Sequence, residues 1–127
     1  MGQSVLTASG FARTSSGELV CEGVSLEAIA DAAGTPTYVY SSRGIREQYD
    51  ALDHALSPVP HRLHYSMKAN ANLAILRLLE ERGAGVDLVS GGELDRAGQA
   101  GFRPPAGVVA GAGNAPHAIR GAAGPGP

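Results

Sequence analysis

The chain has 127 residues, 43% of them hydrophobic, and a formal net charge of −2 at pH 7, which together suit one globular domain. This charge balance provides no electrostatic basis for binding nucleic acid or an anionic membrane. The composition and spacing also exclude an internal disulfide, because Cys21 is the only cysteine, and they indicate no metal site, secretory signal or membrane span, so we expect a cytoplasmic protein.

The first predicted elements in chain order are a loose terminus, a short strand and a short helix. Residues 1–16 are predicted to be disordered because most of them are small or polar. Residues 18–22 favour a strand, and Ser25 is predicted to cap a helix that ends at Gly34. Residues 17–34 are therefore expected to form a lead-in strand and helix.

Strands and helices are then predicted to alternate over residues 35–120. The predicted strands are residues 37–40, 63–68, 86–89 and 107–110, with helices at 43–56, from the Asn72 cap to Gly83, and from Ser90 to 100. Such alternation predicts an α/β protein with a parallel sheet and right-handed crossovers.

About four βα units of this length suit the first half of a (β/α)8 TIM barrel, although an open doubly wound sheet would produce a similar pattern. Because a closed barrel needs about eight units, we expect a fragment of a longer protein or an open sheet. The low-complexity stretch 121–127, rich in glycine and proline, favours the fragment.

The most informative residue is Lys68, at the C-terminal end of the strand predicted at 63–68. Side-chain alternation places His64, Ser66 and Lys68 on one face of this strand, and Asp87 of the next strand on the same face. Barrel enzymes keep their active sites at this end of the strands. Lys68 is therefore a candidate for Schiff-base chemistry, for which desolvation would favour the neutral amine, and the alternative is a solvated strand-end lysine.

Four segments, in order, resemble diaminopimelate decarboxylases, a family of decarboxylases that depend on pyridoxal phosphate. The segments are residues 17–24 (GELVCEGV), 34–40 (GTPTYVY), 64–73 (HYSMKANANL) and 85–94 (GVDLVSGGEL). The third is similar to the family's cofactor-lysine segment. The resemblance implies an alanine-racemase-like barrel and the conversion of meso-diaminopimelate to L-lysine and CO2 in lysine biosynthesis.

The resemblance also implies roles for four residues. Lys68 would hold pyridoxal phosphate as a Schiff base, and Asp87 would act beside it, by pairing with Lys68 or by ordering a neighbour. Ser66 would line the cofactor site. Glu93 would either contact the cofactor or close a capping box with Ser90. The substrate would be a small amino acid, with no nucleic-acid or membrane partner, and the full-length enzyme is expected to be a homodimer.

The resemblance weakens toward the end of the chain. Asn114 stands where the family has a lysine, and the similarity ends after Arg120. The family's later phosphate loop and pyridine-nitrogen partner have no counterpart, so we expect this chain alone to be inactive. The alternatives are a degenerate, non-catalytic fragment, or a related barrel enzyme such as another diamino-acid decarboxylase or an alanine racemase.

Overall fold

The structure is a computed structural model that describes residues 10–103 and the backbone of residues 107–109. The chain divides into two compact units between Ala51 and Leu52, inside a long helix. The segment boundaries predicted after residues 16, 34 and 120 stay predictions, and the start of this helix is hydrogen-bonded to Glu22 of the N-terminal unit. The predicted tail, 121–127, lies outside the described residues.

The N-terminal unit contains a three-stranded antiparallel sheet. In order, its strands are β1 (Phe11–Arg13), β2 (Leu19–Cys21) and β3 (Val24–Ser25). The chain reverses between β2 and β3 at Glu22 and Gly23, with φ values of 50° and 86°. Two successive residues with positive φ form the hairpin turn whose twist matches that of the flanking strands.

The strand β1 corrects the prediction of disorder through residue 16. Phe11 pairs with Cys21 and Arg13 pairs with Leu19 in the antiparallel ladder. Pairing with β2 supplies the hydrogen bonds that this short segment could not make alone, so the prediction is wrong for residues 11–13. Residues 1–9 lie outside the described part of the chain.

Two helices of the N-terminal half begin at serine caps. Ser25 accepts a hydrogen bond from the Ala28 amide (3.3 Å) at the start of α1 (Leu26–Ala33), which ends at Gly34 as predicted. Buried Ser41 accepts one from the Gly44 amide (2.8 Å) at the start of α2 (Ser42–Leu56). Both caps satisfy amides that have no partner within the helix.

The Glu22 carboxylate completes the cap of α2. Its Oε1 atom accepts hydrogen bonds from the Arg43 amide (2.9 Å) and from the Ser41 hydroxyl (2.8 Å). These bonds hold the pKa of Glu22 below its usual value, and the bond from the Arg43 amide has the largest effect. The β2–β3 turn and the start of α2 are thereby joined through one side chain.

The strand predicted at residues 37–40 does not form. These residues lie outside any helix or strand, and the side chains of Tyr38 and Tyr40 are exposed. Their aromatic and β-branched side chains favour extended backbone, but a strand also requires a hydrogen-bonded neighbour. No described strand pairs with this segment, so this prediction is wrong.

The C-terminal unit alternates parallel strands with helices. After the end of α2, the elements in order are β4 (His64–Ser66), α3 (Leu73–Glu80), β5 (Gly85–Leu88), α4 (Gly91–Ala100) and β6 (Gly107–Val109). The strands form a parallel sheet in the order β4-β5-β6, with Ser66 paired to Asp87 and Asp87 to Val108. This arrangement confirms the predicted α/β class, with three of the four predicted barrel strands present.

The core of this unit lies between one face of the sheet and the helices α3 and α4. Buried residues of the cluster are Met67, Leu76, Val86, Leu88, Ala97, Ala100 and Phe102. Val86 and Leu88 alternate with Asp87 along β5, so the helix-facing side of the strand is apolar and the opposite side carries the carboxylate.

None of the described helices is long and apolar enough to cross a membrane.

His61, between α2 and β4, has hydrogen-bond acceptors at both ring nitrogens. Nδ1 lies 2.9 Å from the Val59 carbonyl oxygen and Nε2 lies 3.0 Å from Asp53 Oδ1. A neutral imidazole donates through only one nitrogen, whereas the protonated ring donates through both. The Val59 carbonyl and then the Asp53 carboxylate therefore raise the pKa of His61 above 6.5.

This geometry predicts a pH-dependent contribution to stability. Because the folded pKa exceeds the unfolded value, the stabilisation is complete below the unfolded pKa and is lost as pH rises through the folded pKa. An NMR titration of the His61 ring protons should show a midpoint above that of the same residue in the urea-unfolded chain. Asp53→Asn should lower the folded midpoint, and equal folded and unfolded midpoints would contradict the assignment.

Candidate functional site

Lys68 lies in a turn immediately after β4. The Met67 amide still bonds to the Asp87 carbonyl (3.2 Å), and the Ala69 amide bonds back to the Ser66 carbonyl (3.1 Å). Lys68 is exposed, so the desolvation expected of a buried barrel lysine is not supplied by the described residues. The strand prediction placed Lys68 inside the strand, and the structure places it two residues beyond the end.

Lys68 is also the only lysine in the 127-residue chain, since the other nine basic residues are arginines. No hydrogen bond or ion pair within the described residues engages its amine. The chain therefore carries one side-chain amine that can attack a carbonyl carbon, and it is accessible at the carboxyl end of a parallel sheet.

Ser66 and Asp87 lie side by side on the sheet face opposite the core. They are directly paired in the β4–β5 register, and paired residues of neighbouring strands share a face. Both side chains are half-buried. The structure thus confirms that these two residues occupy the same face, at the end of the sheet from which Lys68 emerges.

Asp87 carries an unsatisfied acceptor. Its Oδ1 atom is buried and has no hydrogen-bond partner among the described residues. The ion pair with Lys68 considered from the sequence does not form among the described residues. A buried carboxylate oxygen without a donor is costly, so this position is suited to a ligand or to a further part of the protein that supplies one.

Glu93 caps α4. Its Oε2 atom accepts a hydrogen bond from the Val89 amide (2.6 Å), while the Ser90 hydroxyl accepts one from the Glu93 amide (3.2 Å). This is a variant of the capping box, because the glutamate reaches the residue before the cap. The predicted bond from the Glu93 amide to Ser90 forms, whereas the Glu93 carboxylate accepts from the Val89 amide and not from the Ser90 amide as predicted; the contact of Glu93 with a cofactor stays a prediction.

Two contacts near Lys68 were not predicted from the sequence. The Tyr65 hydroxyl donates to the Asn70 carbonyl (2.9 Å), and Arg96 Nε of α4 donates to the Ala71 carbonyl (2.6 Å). A half-buried tyrosine usually finds a partner for its hydroxyl, which is the only available signal for the first contact. For the second contact there is no such signal, because an exposed arginine on a helix, such as Arg96, does not need a partner within the protein.

The family model "Pyridoxal-dependent decarboxylase, pyridoxal binding domain" matches residues 42–125. Among curated proteins, diaminopimelate decarboxylase of Pseudomonas fluorescens is 54% identical over 80 residues, which are 63% of this chain and 19% of that protein. The Pseudomonas aeruginosa enzyme is 49% identical over 96 residues, 76% of this chain and 23% of that protein. The chain therefore spans about a fifth of the length of these relatives.

Solved structures agree with the sequence comparisons. A crystal structure from Aquifex aeolicus has a TM-score of 0.75 at 46% identity, covering 84% of this chain and 26% of that chain. Diaminopimelate decarboxylase from M. jannaschii, in co-complex with L-lysine, has a TM-score of 0.73 at 32% identity. The match covers 83% of this chain and 25% of that chain. The fold is thus the N-terminal part of a decarboxylase barrel.

The chain belongs to the family of pyridoxal-dependent decarboxylases and contains part of their pyridoxal-binding domain. The described residues fit pyridoxal phosphate, because a lysine amine without a partner among them suits the cofactor's aldehyde. The unsatisfied Asp87 Oδ1 belongs to the strand next to β4, where Asp87 is paired with Ser66, two residues before Lys68. No group of three His, Cys, Asp or Glu side chains within the described range is arranged to hold a metal ion.

Proposed function

We propose that this chain is the N-terminal part of a diaminopimelate decarboxylase and that Lys68 is the residue to which pyridoxal phosphate is covalently attached. The observation that carries the proposal is the position of the sole lysine, directly after β4 at the carboxyl end of the sheet, within a match to the pyridoxal-binding domain. The names of the relatives support meso-diaminopimelate as the substrate and L-lysine plus CO2 as the products.

Each of the predicted site residues has a distinct task in this proposal. Lys68 supplies the attachment point, and its exposed position in the turn leaves its amine accessible to the cofactor's aldehyde. Asp87 supplies a carboxylate that can hold a proton-bearing group of the cofactor or substrate on the inner face. Ser66 adds a hydroxyl donor on that face, and Glu93 holds the start of α4 behind it.

Bound pyridoxal phosphate supplies an electron sink for the pair of electrons left on the substrate when its carboxylate departs. The described residues provide the attachment lysine and one carboxylate, and they account for about a fifth of the relatives' length. We therefore propose that the chain alone attaches the cofactor weakly and does not decarboxylate diaminopimelate. The cytoplasmic location and the homodimer of the full-length enzyme stay predictions from the sequence.

The alternatives raised by the sequence receive less support. The named relatives are diaminopimelate decarboxylases, which favours this substrate over other diamino acids and over alanine racemisation. A non-catalytic remnant would not need a lysine amine and a buried carboxylate oxygen that both lack a partner among the described residues.

Borohydride trapping tests the attachment site. The purified chain is incubated with pyridoxal phosphate and reduced with borohydride, and its intact mass is measured by mass spectrometry. We expect one pyridoxyl group, mapped by peptide analysis to Lys68, and its loss in Lys68→Arg, which keeps the positive charge but not the reactive amine. The only other primary amine is the N-terminus, so equal labelling of both chains would contradict the proposal.

The same samples, supplied with meso-diaminopimelate, test the second claim. We expect no release of CO2 above the level given by free pyridoxal phosphate. Turnover that depends on Lys68 would contradict the inactivity of the chain alone while leaving the assignment of Lys68 intact.

A further inference from the structure

The segment that follows Lys68, residues 69–72, has no helix or strand of its own and connects the turn after β4 to α3. Its second half is fixed by local asparagine bonds: Asn70 Oδ1 accepts from the Asn72 amide (2.9 Å), and Asn72 Oδ1 accepts from the Ala74 amide (2.9 Å). These bonds set the start of α3 but do not connect the segment to the rest of the unit.

Tyr65 connects this segment to the core of the C-terminal unit. Its ring packs against the buried cluster on the helix-facing side of β4, and its hydroxyl donates to the Asn70 carbonyl at 2.9 Å. The ring is therefore held by the core, and its hydroxyl fixes a carbonyl two residues beyond Lys68. Phenylalanine at this position would keep the packing and remove only the hydroxyl.

Arg96 connects the same segment to α4. Its guanidinium Nε donates to the Ala71 carbonyl at 2.6 Å from the exposed side of α4. A charged donor makes a shorter and stronger hydrogen bond than a neutral one. Because α4 is capped by Ser90 and Glu93 directly after β5, Arg96 ties the βα unit that carries Asp87 to the segment that follows Lys68.

We propose that Tyr65 and Arg96 are positioning residues that together hold the carbonyls of Asn70 and Ala71, and thereby fix the place of Lys68 relative to Asp87. We call these two hydrogen bonds the carbonyl clamp. This inference rests on the proposed role of Lys68 in attaching pyridoxal phosphate. The physical reason is that a covalent attachment point on an otherwise irregular segment reacts efficiently only when its position is fixed in advance.

The test uses Tyr65→Phe, Arg96→Gln and the double variant of the full 127-residue chain. Glutamine is preferred to lysine at position 96 because a second lysine would obscure the labelling of Lys68. The matched controls are Tyr38→Phe, whose side chain is 88% exposed, and Arg77→Gln on the exposed surface of α3. Circular dichroism and amide exchange in β5 establish that each variant is folded.

Two measurements decide the outcome. Amide hydrogen exchange within residues 69–72 should become faster in both clamp variants and stay unchanged in the controls. The pyridoxal phosphate concentration giving half-maximal borohydride-trapped Lys68 should rise about threefold to tenfold for each single variant, and further for the double. In the controls it should stay at the wild-type value.

Each alternative outcome is distinguishable. Unchanged exchange in residues 69–72 would overturn the clamp itself. Faster exchange with unchanged trapping of Lys68 would overturn the positioning role while leaving the proposed function standing. A wild-type chain that traps no cofactor at Lys68 would overturn the proposed function and the positioning role with it, and the exchange data would still decide whether the two hydrogen bonds order the segment.

Discussion

Replacing Leu76 with alanine is expected to lower the free energy of unfolding of the C-terminal unit by about 2–5 kcal/mol. Leu76 lies on α3 with 0% of its surface exposed, and it belongs to the cluster that also contains Val86 and Leu88 of β5. Its removal forfeits the burial of the side chain and leaves a cavity that the parallel sheet and α4 cannot fully close. The loss is large relative to the marginal stability of a small domain.

Urea unfolding followed by far-UV circular dichroism measures this loss, and amide exchange at Val86 and Leu88 assigns it to the C-terminal unit. Leu52→Ala is the matched control, because Leu52 lies in the same unit but is 52% exposed. It should change stability by only about 0.5 kcal/mol. If the two variants unfold at the same urea concentration, α3 does not pack on the sheet as described.

Gly10→Ala is expected to destabilise the N-terminal unit by about 2–4 kcal/mol. Gly10 is buried with φ +82°, a region that alanine enters only at a cost, and an added Cβ would lie 2.6 Å from Ser41 Cβ. Ser41 cannot yield without losing its bonds to the Gly44 amide and to Glu22. The substitution therefore adds backbone strain and breaks the cap of α2.

Gly17→Ala separates these two causes. Gly17 has φ +87°, but a Cβ there would have no neighbour within 4 Å. The Gly17→Ala variant should lose only about 1–2 kcal/mol of stability, because only the backbone strain applies to it. Thermal unfolding of both variants, with the exchange rate of the Gly44 amide as a local probe, makes the comparison. If Gly10→Ala is no less stable than Gly17→Ala, the contact with Ser41 has no energetic weight.

The elements that depend on local chemistry were predictable from the sequence. The caps at Ser25, Asn72 and Ser90 were all predicted, because an N-cap is made by a residue and an amide two or three positions later. The strand at residues 37–40 was wrongly predicted, because its side chains favour extended backbone but a strand exists only with a partner. The strand β1 was missed for the converse reason, since its partner β2 supplies the stability.

The same distinction holds for the site. The shared face of Ser66 and Asp87 followed from side-chain alternation, and the choice of Lys68 as a candidate followed from its place at the end of the predicted strand, although the structure has this lysine two residues beyond β4. The carbonyl clamp did not follow from either, because Arg96 reaches Ala71 across 25 residues of sequence. Such a contact depends on how α4 packs against α3, which periodicity alone does not determine.

The single lysine has a practical consequence for enzymatic cleavage. A protease that cuts only after lysine has one site in this chain, the bond between Lys68 and Ala69, and its products are residues 1–68 and 69–127. That bond lies in the turn closed by the Ala69 amide and the Ser66 carbonyl. A modified Lys68 no longer fits such a protease, so the ratio of cut to uncut chain counts the occupied molecules in a population without any spectroscopic label.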